Sequence, residues 1–231
     1  MKRLLLISFV IFALAVPLFA ISGKVSYIEG QVMINYAVAE LRQEVREGDF
    51  ISTQKGKLEI TLDDGTLVRV GPDSKIYMES LKEEKGRKKV SIKVTLGRFW
   101  TKVKRLVSKD EYNVSFRTGT AGVRGTVYRL DQYADDSAQL FVYDGKVEVR
   151  GEKPSGGADQ MPAVPAEIDG PVEIEGPKEV SMEEWVKIVK QLNRIAISPE
   201  GVPTDPVEFD PEKDRQDPWV SWNLERDKVS E

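Results

Sequence analysis

The chain has 231 residues, of which 40% are hydrophobic and 31% charged, and its formal net charge is −4. It contains no cysteine and no histidine, which excludes disulfides, Ser-His-Asp and Cys-His catalysis, and zinc sites built from these two ligands. The charge is uneven, because residues 21–150 carry a net +4 and residues 151–231 a net −10. The length suits one domain of ordinary size plus an appendage.

The N-terminus predicts export. A basic start over residues 1–3 precedes the apolar run Leu4–Val16, and Pro17 to Ala20 follow, with the small residue Ala20 at a plausible cut site. This pattern is typical of a secretory signal peptide over residues 1–20, so we expect a periplasmic or extracellular protein. The alternative is an uncleaved anchor over Leu4–Ile21, which is the only membrane contact that the sequence suggests.

Residues 21–150 predict a mainly β domain. Short apolar runs alternate with turn residues, as at Val25–Ile28 and Val32–Tyr36 on either side of Glu29-Gly30. We expect a hairpin at Glu29-Gly30 and a second one at Asp64-Gly65. Strands this short and this regularly spaced indicate a β-sandwich, a barrel or a short β-solenoid.

A glycine-rich phrase lies late in this domain. Residues 117–126 read R-T-G-T-A-G-V-R-G-T and lead into the strand-like Val127–Leu130. Three glycines within seven positions indicate a backbone that turns tightly and then enters a sheet.

The phrase Val123–Thr126 resembles the signature of the FecR family, which reads roughly T-P-x-G-x-x-V-R-G-T before a β-run. Gly119 stands here in place of the family's proline. Further phrases follow the family's order, and they lie at Gly23–Val25, Glu47–Thr53, Asp64–Thr66, around Gly97 and at Asp144–Val149. The resemblance covers roughly residues 22–150 and predicts a short-stranded β-sandwich or short β-solenoid of the FecR type.

The resemblance implies a domain without catalytic activity. The family's founding members are transmembrane regulators with a cytoplasmic anti-sigma segment, one membrane span and this periplasmic domain. Only Met1 to Arg3 precede the apolar run here, so we expect no anti-sigma segment. The favoured function is a non-catalytic binding or scaffold domain that recognises an envelope protein or a glycan, with no nucleic-acid partner.

Two other functions stay open. One is a periplasmic sensory or regulatory component of a signalling system, which requires a dedicated membrane or outer-membrane partner. The other is a carboxylate-based hydrolase, which requires two carboxylates within about 5–10 Å in a cleft. The acidic pairs Asp63-Asp64 and Asp135-Asp136 fit turn chemistry better than a hydrolase pair or a Ca²⁺ site.

The family signature provides the candidate site residues, and we expect them to be structural. They are Gly122, Val123, Arg124, Gly125, Thr126, Asp64, Gly65, Asp144 and Gly145. The Arg124 guanidinium is predicted to hold a turn carbonyl or a buried carboxylate, and the alternative is that it binds an anionic ligand. We predict no catalytic, cofactor-binding or metal-binding residue.

A basic cluster forms a separate feature. It fits a solvated hairpin tip, and the alternative is a surface for polyanions. Its residues are Lys82 to Lys89, Lys102, Lys104, Arg105 and Lys109.

The C-terminal part divides into three predicted segments. Residues 151–178 are rich in proline and glycine and read as a linker. Residues 179–198 predict an amphipathic helix, with an N-cap and capping box at Ser181 and Glu184 and an apolar stripe at helical spacing. The stripe comprises Trp185, Ile188, Val189, Leu192 and Ile195.

Residues 199–231 read as an acidic tail, of which residues 199–216 are expected to be mobile. Asp217 and Pro218 predict the start of a short helix, which places Trp219 and Trp222 on one face. Because two tryptophans are costly to leave in water, they are predicted to dock on this chain or on a partner.

Overall fold

The computed structural model describes residues 19–84, 86–104, 110–152 and 186–229. The predicted signal peptide lies mostly in residues 1–18, outside the described residues. The predicted linker from residue 153 onward, and the cap of the predicted helix at Ser181, lie outside them as well.

Within these ranges the chain forms eighteen strands and two helices. The strands of the first half are β1 (Phe19–Ala20), β2 (Gly23–Glu29), β3 (Val32–Ile34), β4 (Ala37–Val38), β5 (Glu44–Val45), β6 (Phe50–Thr53), β7 (Lys57–Leu62), β8 (Leu67–Val70) and β9 (Ser74–Glu84). Those of the second half are β10 (Arg87–Lys102), β11 (Glu111–Phe116), β12 (Gly119–Val123), β13 (Val127–Gln132), β14 (Ala138–Asp144), β15 (Lys146–Gly151), β16 (Val186–Lys190), β17 (Asn193–Ile197) and β18 (Val207–Glu208). The helices are α1 (Pro211–Asp214) and α2 (Pro218–Val229).

The strands pair into two sheets, which confirms the mainly β prediction. Sheet A runs in the order β4-β3-β6-β9-β10-β11-β12-β15-β16, with β1 also on β9. Sheet B runs in the order β5-β2-β7-β8-β10-β13-β14-β17-β18. Neighbouring strands are antiparallel except β10 and β11, which are parallel.

The long strand β10 belongs to both sheets. Its first part pairs with β9 in sheet A, and from Gly97 onward it pairs with β13 in sheet B. Gly97 has φ +88°, and a Cβ built there would lie 2.6 Å from Ser74 Cα. Only glycine meets both conditions at the point where the strand leaves one sheet for the other.

The main core lies between the two sheets. Ile51 and Ile76 of sheet A and Val68 and Leu130 of sheet B are fully buried in one apolar cluster. Sheet A alternates buried and exposed residues along β9 and β15, as expected when one face meets water. Sheet B instead buries consecutive residues along β8 and β13, so its outer face is covered as well.

The C-terminal segment, residues 209–229, covers that outer face. Trp219 and Val220 form a second apolar cluster with Trp100, Phe141 and Tyr143 of sheet B. The tail is therefore structured where it was expected to be mobile, since α1 falls within residues 199–216. The predicted helix start is present, because Asp217 accepts a hydrogen bond from the Trp219 amide at 2.8 Å.

The hairpin expected at Glu29-Gly30 is wrong. Strand β2 pairs with β5 and β7 in sheet B, whereas β3 pairs with β4 and β6 in sheet A. The turn passes the chain between sheets instead of folding it back within one. The Asp64-Gly65 hairpin is confirmed, since β7 and β8 pair directly across it.

The amphipathic helix predicted over residues 179–198 is also wrong. Its described part forms β16 and β17, which add one strand to sheet A and one to sheet B. Val189 and Ile195 are buried, whereas Ile188 and Leu192 of the predicted stripe are exposed. Strand pairing with β15 and β14 outweighs the helical pattern, and the β domain therefore extends beyond residue 150.

No helix of the described residues is long and apolar enough to cross a membrane.

Candidate functional site

The family signature forms a turn that supports a neighbouring turn. Thr126 is buried, and its hydroxyl donates to the Lys146 carbonyl at 2.9 Å. Gly145 has φ +82°, and a Cβ there would lie 2.9 Å from the Gly125 carbonyl oxygen. The V-R-G-T phrase and the Asp144-Gly145 turn are thus packed against each other, which accounts for glycine at position 145.

The Asp64-Gly65 turn lies at the same end of the molecule. The Asp64 carboxylate accepts a hydrogen bond from the Thr66 amide at 2.8 Å and closes the turn. Gly65, Gly125, Thr126 and Asp144 line one groove of about 400 Å³. Motifs that are about 80 positions apart in the chain therefore lie side by side. The hydrogen bonds of Asp64 and Thr126 described above are those of turns.

Gly122, Val123 and Arg124 occupy different environments. Val123 is buried and pairs with Val147 and Tyr112 across the strand. The Arg124 side chain is exposed, and it has no hydrogen bond or ion pair among the described residues. It therefore holds no described turn carbonyl or buried carboxylate, contrary to the structural role predicted for it.

The acidic pairs make structural contacts, which are local turns for Asp64 and Asp135 and contacts with distant segments for Asp63 and Asp136. Asp63 accepts hydrogen bonds from the Ser22 amide and hydroxyl at 2.7 and 2.8 Å. Asp135 accepts from the Ser137 amide at 3.0 Å, and Asp136 forms an ion pair with Arg117. Across the described ranges, no group of three or more acidic residues is arranged to hold a metal ion.

The predicted basic cluster is divided. Lys82, Arg87, Lys88 and Lys89 line a groove together with Glu84 and Glu111 at the tip of the β9–β10 hairpin. The Lys102 ammonium instead donates to the Asp227 carbonyl at 3.0 Å on sheet B. Arg105 and Lys109 lie outside the described residues. The cluster is thus not one continuous surface.

The most heavily charged buried region of the described residues lies on the outer face of sheet B, and no sequence pattern predicted it. A row of residues in register crosses four strands there, from Glu59 through Arg69 and Trp100 to Arg129. Arg69 and Arg129 are 0% and 4% exposed. Together with Arg98 they form what we call the arginine face.

The C-terminal segment neutralises this face. Asp227 pairs with Arg69 at 2.6 Å, Asp217 with Arg98 at 2.9 Å, and Asp214 with Arg129 at 3.0 Å. All three carboxylates come from α1, α2 or the N-cap of α2. Each arginine on the sheet therefore has one acidic partner on the segment above it.

In one further ion pair the carboxylate lies on the sheet and the guanidinium on the C-terminal segment. Glu59 lies on the sheet, and Arg226 of α2 donates two hydrogen bonds to it at 3.0 and 2.9 Å. Burial alone would raise the pKa of Glu59, but the hydrogen bonds from Arg226 and Arg69 lower it to about 2. Burial raises the pKa of Asp131, although Arg129 and Arg98 lie beside it.

The two predicted docking tryptophans lie against the chain's own sheet. Trp219 is 3% exposed, and its ring stacks on Trp222 at 5.2 Å. Trp222 also contacts Tyr27 at 5.4 Å, and Arg69 and Arg226 lie over its ring at 5.8 and 5.1 Å. In this structure both rings belong to the internal contact between the segment and sheet B.

A further surface on sheet A is open. Tyr36, Phe50 and Tyr77 form an aromatic row with ring centres 5.5 and 4.7 Å apart. Tyr36 is 78% exposed and Tyr77 39% exposed. We call these three residues the aromatic row, and Lys75 and Arg117 line the same shallow groove. Exposed aromatic rings that lie together are typical of recognition surfaces.

The arginine face has a weak signal in the sequence. In Leu67–Val70 and in Val127–Leu130 an arginine interrupts a run of residues suited to burial. Such an arginine requires a carboxylate partner. The partners are far away in the chain, since Arg69 and Asp227 are 158 positions apart, so no local pattern identifies them.

The chain thus forms a two-sheet β domain. Asp64 and Thr126 stabilise turns in it, and the buried charges on sheet B form ion pairs within the chain. Residues 49–148 match the family model described as FecR protein. This chain therefore carries a FecR domain over these residues, as the V-R-G-T phrase and the other family phrases in the sequence predicted.

Two crystal structures of a protein assigned as an anti-sigma factor from Parabacteroides distasonis ATCC 8503 are similar to this chain, one at 1.65 Å and one at 2.50 Å resolution. In each comparison the identity is 18%, the TM-score is 0.46, and the match covers 70% of this chain and 60% of that chain. This chain thus spans about 60% of its relative's length, and so distant a likeness carries no argument about function. Among curated proteins, none matches this chain.

Proposed function

We propose that this chain is a non-catalytic regulatory module that works outside the cytoplasm by recognising another molecule. The match of residues 49–148 to the FecR family is the observation that carries the proposal. Asp64 and Thr126 of the signature support the absence of catalysis in this proposal, because their described hydrogen bonds are those of turns. The carboxylates on sheet B are paired with arginines, which leaves them poorly suited to act as a hydrolase's acid and base.

The proposal includes export through residues 1–20 and a partner in the cell envelope, either a protein or a glycan. The aromatic row is the surface that fits such a partner best, because its rings are exposed and polar side chains surround it. A regulatory role in signalling is favoured over a purely structural scaffold, since the FecR family is one of regulators.

The regulatory role is tested by transcript profiling in the organism that encodes the chain. Deleting the gene should change the transcripts of a defined set of genes, and the wild-type gene should restore them. A variant with Tyr36→Asn and Tyr77→Ala should fail to restore them, and Val202→Ala, at another exposed apolar residue, should succeed. Unchanged transcripts after deletion would contradict the regulatory role.

Localisation is tested separately by cell fractionation. The proposal predicts mature protein in the periplasmic or secreted fraction, shortened by the signal peptide. Full-length protein in the cytoplasmic fraction would contradict export without affecting the transcript experiment.

A further inference from the structure

Residues 209–229, which we call the latch, lie on the arginine face. The contact between the latch and this face is unusually polar. Four of the described ion pairs join the latch to sheet B, and their sheet residues Arg69, Arg129 and Glu59 are 0%, 4% and 6% exposed. Burying such pairs costs desolvation energy comparable to the attraction gained. The contact therefore contributes more to the specificity of docking than to the strength of docking.

The same contact leaves polar atoms unpaired. Arg69 Nη2, Trp219 Nε1 and Asn223 Oδ1 are buried without a hydrogen-bond partner among the described residues. Each such atom costs about 1–3 kcal/mol. The buried charged side chains of the described residues thus lie on the outer face of sheet B and not in the main core between the sheets.

Release of the latch would leave both sheets intact. Strand β18 ends at Glu208, and no strand pairing of the described residues involves residues 209–229. The face that it uncovers carries the aromatic residues Trp100, Phe141 and Tyr143 beside the three arginines of the arginine face.

We propose that the arginine face is a binding site for acidic, tryptophan-bearing segments, and that its occupant in trans is the latch of a second copy of this chain. The latch is the ligand shown to fit, since its carboxylates meet Arg69, Arg98 and Arg129 at 2.6, 2.9 and 3.0 Å. Two copies that exchange latches would each keep all of these pairs. The exchange goes beyond the proposed function and uses a different surface from the aromatic row.

The exchange competes with docking within one chain. A tethered segment acts at an effective concentration on the order of millimolar, so we expect the wild-type chain to be a monomer at micromolar concentration. Exchange becomes visible when docking within the chain is weakened and matched docking between chains is available.

Complementary charge reversal in the full chain tests this. Arg129→Asp reverses the face, and Asp214→Arg reverses the latch. Each variant alone is mismatched, but a mixture of the two offers matched pairs in trans. Light scattering should show monomers for each variant and a 1:1 dimer for the mixture. The control combines both substitutions in one chain, which restores the pair internally and should remain a monomer.

Folded variants whose mixture stays monomeric would overturn the proposal. If either single variant fails to unfold cooperatively, the wild-type full chain is used with a labelled synthetic peptide of residues 209–231. The peptide should bind, and a matched peptide carrying Asp217→Ala should bind the same full chain at least tenfold more weakly, because Asp217 pairs with Arg98. No binding at millimolar peptide, or equal binding of the two peptides, would overturn it.

Discussion

At the scale of single residues, the outer face of sheet B depends on charges that satisfy one another. Arg69 contacts Glu59 at 2.6 Å and Asp227 at 2.6 Å, and it is fully buried. Removing one member of such a group leaves the others charged in a medium where water cannot solvate them.

Replacing Arg69 with alanine should therefore lower the free energy of unfolding by about 3 kcal/mol. Urea denaturation followed by circular dichroism measures it. The matched control is Arg46→Ala, which breaks the exposed pair with Glu44 and should leave the midpoint unchanged. Equal effects of the two substitutions would contradict the burial of the Arg69 network.

The Glu59 carboxyl makes stability depend on acidity. Its pKa falls from an ordinary value of 4.5 to about 2 in the folded chain, so it stabilises the fold fully above pH 4.5. That contribution is lost as the pH falls from there toward 2.

The measurement compares wild type with Glu59→Gln at several pH values. The difference in unfolding free energy between them should shrink by about 3 kcal/mol between neutral pH and pH 2. The raised pKa of Asp131 acts in the opposite direction but is present in both proteins, so it cancels. Parallel pH profiles would show that Glu59 is not paired as described.

At the scale of elements, two features depend on single backbone positions. The crossing of β10 from sheet A to sheet B requires Gly97, and the turn between β16 and β17 contains Leu192 with φ +59°. A left-handed conformation is costly for a leucine. The helix prediction failed here because the residue with positive φ is a leucine, and neither Gln191 nor Leu192 is a typical turn residue.

Gly97→Ala should destabilise the fold severely, by at least ~3 kcal/mol, since it combines a positive φ with a clash against Ser74. Gly48→Ala is the matched control, because Gly48 has φ +87° and nothing within 4 Å of its added Cβ. It should cost only about 1 kcal/mol. Thermal unfolding compares the two, and similar melting temperatures would contradict the close approach of β10 to Ser74.

The substitution Leu192→Gly distinguishes a hairpin from a helix over residues 186–197. In the hairpin it relieves the left-handed strain and should leave the stability equal or raise it by up to ~1 kcal/mol. In a helix it would lower the stability by about 1 kcal/mol. The control Gln191→Gly, at the preceding turn residue, should be destabilising. Loss of stability in Leu192→Gly would favour the helix after all.

At the scale of the whole molecule, the sequence predicted what depends on local patterns. The β class, the Asp64-Gly65 turn, the FecR phrases and the helix start at Asp217 are all set within a few residues. The arginine face, the extra strands β16 and β17 and the latch depend on pairings across the whole chain. No spacing rule joins Glu59 to Arg226, because they are 167 positions apart.

The latch docks on sheet B through these distant pairs. A double-mutant cycle on Glu59→Ala and Arg226→Ala in the full chain tests it most directly, with unfolding free energies from urea titration. We predict a coupling energy of about 1–3 kcal/mol between the two positions. A coupling within ~0.3 kcal/mol of zero would mean that the two residues do not meet, and it would contradict the docked latch.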